Sequence, residues 1–141
     1  MFRDKNNNAR EADTNLHRLG VLLLVLFGSS ATGVKKPGDI DIAVFLTRAA
    51  QAKTFVDFEK QNELTQAVAD FLQESSDKLD IVFPGKETAP LLAYHIARDG
   101  KLLFGLENDF MRFRMHAVKV YYDNAKFRVA REQYLKQAYA G

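Results

Sequence analysis

Three aspartates stand where apolar residues would be expected. Asp39 and Asp41 open the run "GDIDIAVFL", and Asp80 interrupts "LDIVF". Along a strand, residues i and i+2 project to one face. Asp39 and Asp41 would therefore stand roughly 6–7 Å apart on one side, with Ile40, Ile42 and Val44 on the other. Carboxylates that close repel each other unless a cation lies before them, and a hard divalent ion bound through oxygen is the usual remedy. With no His or Cys nearby, the donor set suits Mg²⁺ better than Zn²⁺. A third carboxylate from Asp80, on a neighbouring strand, would complete a two-metal site that activates an attacking oxygen and stabilises a leaving one. Gly28-Ser29, directly after the apolar run Leu22 to Phe27, is a second signal. A residue without Cβ permits a tight turn in which backbone N–H groups and the Ser29 hydroxyl face an anion. The loop "SATGVKKPG" supplies Lys35 and Lys36, which either approach nucleotide phosphates or sit in solvent.

These residues need a scaffold, and the apolar pattern outlines one. Leu22 to Phe27 is continuous rather than alternating, which predicts a strand covered on both faces. Ile40 to Leu46 predicts a second strand, Leu79 to Phe83 a third closed by Pro84-Gly85, and Leu102 to Phe104 a small fourth. Ala9 to Gly20 reads as a short helix. Residues 1–8 read as a polar tail that frays, and 9–141 as a single domain. "KTFVDFEKQNELTQAVADFLQES" predicts one helix with a capping-box-like start at Thr54 and Asp57 and with Leu64, Val68, Phe71 and Leu72 on one face. "ETAPLLAYHIARDG" predicts another, with Pro90 in its first turn and Gly100 just past its end.

Glu107 to Tyr139 predicts one long helix or two stacked ones. Phe110, Phe113, Ala117, Val120, Phe127 and Tyr134 share a stripe, and Met111, Met115, Val118, Tyr122, Ala125 and Val129 form a second beside it. Together they are wider than packing on one core usually requires, so core packing plus some homo-oligomer contact is expected. Arg112, Lys119 and Lys126, spaced by seven, make a basic ridge elsewhere on the helix.

At 141 residues, 47% hydrophobic and with only three prolines, the chain fits one globular core. Its net charge of +2 hides an asymmetry, since residues 101–141 carry eight Lys/Arg against four Asp/Glu. The total is too small to mark a nucleic-acid binder, and direct nucleic-acid binding is not expected. Absence of cysteine excludes disulfides, thiolate metal sites and a Cys nucleophile. The start, "GVLLLVLFGSSA" included, superficially resembles a signal peptide, but Asp4, Glu11 and Asp13 spoil its basic region. The seven-residue apolar run is far short of the ~20 that a membrane-spanning helix needs, and a cytoplasmic protein is expected.

The order "FGSSATG", "GDIDIAV", "LDIVF" resembles the minimal nucleotidyltransferase (MNT) domains of the DNA polymerase β-like superfamily, and the likeness continues through "APLLAYHIARDGKLLF" into the last helix. The resemblance implies an α+β nucleotidyltransferase fold, a small mixed β-sheet flanked by helices, with two Mg²⁺ ions and ATP or another NTP as substrate. Carried over residue by residue, it implies that Gly28 and Ser29 hold the triphosphate. Asp39 and Asp41 would bind metals, and Asp80 would bind one metal and help activate the acceptor. Domains of this size resemble the antitoxin of HEPN–MNT toxin–antitoxin modules, which implies a helical HEPN toxin as partner and AMP transfer onto its tyrosine. Nine residues, Ser30 to Gly38, separate the Gly-Ser from the DxD, one fewer than the family usually carries, and Thr32 precedes Gly33 where the family often has Arg. Those departures suit an alternative, a binding antitoxin with a vestigial nucleotide site. Transfer to a small molecule fits poorly, because the short chain leaves little room for an acceptor-binding domain.

Other signals carry less. "PGKET" lacks the first glycine of a phosphate-binding loop and reads as a turn. His17, His95 and His116 lack metal-ligand spacing, and no Ser has a His/Asp arrangement to activate it.

Overall fold

Leu22 to Phe27 does become a strand buried on both sides, and the rest of the fold is arranged around it. A computed structural model describes residues 5–28, 39–85 and 87–139. In chain order these form α1 (Lys5–Arg18), β1 (Val21–Phe27), β2 (Ile40–Leu46), α2 (Arg48–Val56), α3 (Phe58–Leu72), β3 (Leu79–Val82), α4 (Pro90–Asp99), β4 (Lys101–Phe104) and α5 (Glu107–Tyr139). The strands make one mixed sheet in the order β3-β2-β1-β4, with β2 and β3 parallel and the other pairs antiparallel. β1 is thus an inner strand, which is why its side chains need no polar alternation. Leu22 is the exception. A register shift between Val21 and Leu23 bulges the strand and leaves Leu22 45% exposed.

Helices cover both faces. One face of the sheet, with Leu24, Ile42 and Val44, packs against Leu16 of α1 and Leu64 and Val68 of α3. The other, with Leu23, Val25, Phe27 and Ala43, packs against Ile96 of α4 and Phe110 of α5. Each fully buried Leu, Ile or Val on these faces contributes about 1.5–3 kcal/mol relative to exposure. α4 and α5 are tied together by Arg114, whose Nε donates to the Ala97 carbonyl at 2.7 Å, and by Tyr94 stacked on Tyr121 with ring centroids 4.0 Å apart.

The single helix expected from Lys53 to Ser75 is in fact two. Asp57 separates them in an extended conformation, and its carboxylate accepts from the Glu59 N–H at 3.0 Å to cap α3. Thr54 does not take part in a cap. It is buried inside α2, which Thr47 caps instead by accepting from the Ala50 N–H. α1 begins at Lys5, inside the segment expected to fray. β3 ends one residue early, at Val82, and β4 starts one residue early, at Lys101. Pro90 opens α4 and Gly100 ends it, as the sequence predicts. The last segment is one helix of 33 residues, of which only Phe110 and Ala117 are buried. No helix among the described residues is long and apolar enough to cross a membrane.

Candidate functional site

The aspartates meet at one end of the sheet, where β1 finishes and β2 and β3 begin. Antiparallel pairing sets Phe27 opposite Asp41, and parallel pairing sets Asp41 beside Asp80. Neighbouring strands lie about 4.8 Å apart, so the two aspartates stem from adjacent backbone positions. Alternation fixes their side. Asp41 shares a face with Ala43 and Asp80 with Val82, and both apolar residues belong to the α4–α5 side of the sheet. Asp39 immediately precedes β2, and the same alternation carried back puts it on that face. Asp41 is half-buried, while Asp39 and Asp80 are exposed. The arrangement is an inner carboxylate flanked by two that open to solvent.

Gly28 closes the site on the β1 side. Its φ of +73° is the left-handed region that favours glycine. A Cβ built there would run into the carboxylate of Asp41 and lie 3.2 Å from its Cγ. The absent side chain therefore leaves the space the Asp41 carboxylate fills. Ser29, Lys35 and Lys36, expected to face a triphosphate, lie outside the described residues.

Donor chemistry and backbone placement fit a hard cation: three carboxylate positions on one sheet face, all oxygen donors, next to a glycine cradle. Among the described residues no group of three His, Cys, Asp or Glu side chains is already gathered as a metal site.

Other expected features fall away from this end. In the "PGKET" stretch the Gly85 N–H donates to the Thr88 hydroxyl at 2.8 Å. His17 packs its ring 4.9 Å from that of Phe104, and His95 lies beside Arg98. An open cavity of about 490 Å³ near Asp13, His17 and Leu106 adjoins the opposite end of β1. What sequence reading missed is an aromatic and cationic assembly between α4 and α5. Arg98 lies over Tyr94 and Arg128 over Tyr121, at 5.5 and 5.3 Å from the ring centroids, and Tyr122 meets Tyr94 edge-on. The Tyr121-Tyr122 doublet was its one visible signal. Hydrogen bonding to Tyr94 raises the Tyr122 phenol above its ordinary pKa.

This geometry has relatives. The family described as polymerase beta, nucleotidyltransferase, matches residues 14–109. Fifteen chains of known structure also match. One, from a mutant MntA–HpeT toxin–antitoxin, is 22% identical with a TM-score of 0.63, covering 90% of this chain and 97% of that one. Another, from a toxin–antitoxin with AMP-PNP, is 24% identical with a TM-score of 0.62, covering 94% and 98%. A third comes from a tri-AMPylated Shewanella oneidensis HEPN toxin in complex with its MNT antitoxin; it is 23% identical with a TM-score of 0.58, covering 94% and 98%. At these identities the likeness establishes the fold. No curated protein matches. With two-thirds of its length inside the family's bounds and the α+β nucleotidyltransferase fold around Asp41 and Asp80, the chain belongs to the polymerase β nucleotidyltransferase family.

Proposed function

We propose that this chain is a Mg²⁺-dependent nucleotidyltransferase that moves AMP from ATP to a hydroxyl of a HEPN-type helical partner, as the antitoxin of a two-protein pair. The observation that carries the reading is the register that sets Asp41 beside Asp80, with the Asp41 carboxylate seated in the space left by Gly28. The structural relatives support the choice of nucleotide and partner: one is a toxin–antitoxin with AMP-PNP, and another holds an AMPylated HEPN toxin.

Asp39, Asp41 and Asp80 would hold two Mg²⁺ ions, which when bound neutralise the carboxylates and draw charge from the phosphate oxygens. Gly28, Ser29, Lys35 and Lys36 receive the triphosphate. The acceptor hydroxyl approaches from the β3 side, where Asp80 is exposed on an edge strand and takes its proton. A bond forms between the acceptor oxygen and the α-phosphorus, the bond from that phosphorus to the oxygen bridging it to the β-phosphorus breaks, and pyrophosphate leaves with its electron pair. Positioning and charge stabilisation supply most of the rate in such transfers.

The test is incubation with labelled ATP, Mg²⁺ and the protein encoded beside this one. Label transfer unchanged in Asp39→Asn and Asp41→Asn would sink the mechanism. A second reading, neutralisation by complex formation alone, is favoured by the exposed distal half of α5. Neutralisation surviving the triple Asp39→Asn, Asp41→Asn, Asp80→Asn variant would select it.

A further inference from the structure

α5 outlasts the core it packs on. Near its start Phe110 is buried and Phe113 meets Phe45 edge-on at 4.7 Å. Counting by sevens from Phe113, the same side of the helix carries Val120, Phe127 and Tyr134, with a drift of only about 20° per heptad. The stripe that covers this chain's own sheet at one end stands bare at the other, where Phe127 is 73% and Tyr134 70% exposed. Ala130 and Ala138 continue the bare stripe, and Leu135 and Tyr139 border it. The opposite side carries Val129, Glu132, Gln133 and Lys136. From Lys126 to Tyr139 every side chain is exposed. That is roughly 21 Å of helix, a length that is marginal in water without tertiary packing.

Charge selects the cover. The arm carries Lys126, Arg128, Arg131 and Lys136 against the single acid Glu132, and Arg131 sits one turn from Phe127 within the aromatic stripe. Two such arms laid together would set cation against cation, so the charge opposes pairing with a second copy. An apolar groove rimmed by carboxylates meets both needs, and aromatic anchors at i and i+7 match the spacing by which a helix fills a groove. We infer that the arm from Lys126 to Tyr139 docks lengthwise into an acid-rimmed apolar groove on an α-helical partner protein, with Phe127 and Tyr134 as its anchors. The inference rests on the reading of this chain as half of a two-protein pair, and it names the surface that holds the other half.

The test uses the full chain and the helical protein encoded beside it, with the Kd measured at low and high salt. Phe127→Ala with Tyr134→Ala is expected to weaken binding about 100-fold and to leave the melting temperature of the chain alone unchanged, since both rings lie outside the core. Arg128→Glu with Arg131→Glu should weaken it at least about tenfold at low salt. Gln133→Ala, on the far side, should change nothing. Wild-type affinity in both arm variants would overturn the docking surface while leaving the pair intact. No binding by the wild-type chain would instead sink the two-protein reading. A chain that sediments alone as a dimer, and as a monomer after Phe127→Ala with Tyr134→Ala, would make the occupant a second copy and overturn the inference.

Discussion

Gly28→Ala isolates the contact on which the site is built. An L-residue in the left-handed region costs roughly 1–2 kcal/mol, and Gly28 has a φ of +73°. The added methyl would also meet the Asp41 carboxylate, at 3.2 Å from Cγ and 3.4 Å from Cβ of that residue. Relieving the clash requires the carboxylate to swing or the strand end to shift, which brings the total to about 2–3 kcal/mol. For a domain of this size that is a fall in Tm of roughly 6–12 °C. A carboxylate displaced by about 1 Å should also slow transfer about 100-fold. Thermal unfolding followed by fluorescence reads the first effect. The rate of labelled AMP transfer, measured well below both midpoints, reads the second. Gly85→Ala is the control, because a Cβ there has no heavy atom within 4 Å and φ is not positive. A Gly28→Ala protein that melts within about 1 °C of wild type and transfers AMP at the same rate would refute the reasoning.

Asp80→Asn should cut transfer about 100-fold or more without lowering Tm in Mg²⁺-free buffer, since it removes one of two like charges in register; a lower Tm would show that Asp80 holds β3 in place. Asp57→Ala deletes the cap of α3 and should cost about 1 kcal/mol, read as a smaller denaturant midpoint at unchanged m. Tyrosine absorbance followed through alkaline titration should contain one component above the ordinary phenol pKa that vanishes in Tyr122→Phe. Because the folded-state pKa is the higher one, the stabilisation from this phenol is complete below the unfolded value and disappears as pH rises through the folded one.

Continuous apolar runs made β1 and β2 legible, and the two charges within i+2 marked the strand end as a candidate site. The partnership of Asp41 with Asp80 was not written locally. It depends on parallel pairing across a crossover that contains α2 and α3, and no pattern within one strand carries that register. The break at Asp57 was hidden because apolar periodicity runs on through both helices, while the acid that ends one also starts the next. In α5, spacing revealed the apolar stripe but not the place where the core beneath it stops. Ser29, Lys35 and Lys36 were readable only as residue types.

The crossover between β2 and β3 also sets an order of assembly. Asp41 and Asp80 are about forty residues apart in the chain, and their pairing closes the longest excursion at the site. Non-local parallel contacts of this kind form slowly, after the entropy of closing the loop has been overcome. On a ribosome, β1 and β2 emerge with Asp41 well before Asp80 is synthesised. A nascent or partly folded chain can therefore hold a hairpin and two aspartates without the third, so maturation of the carboxylate constellation coincides with docking of β3.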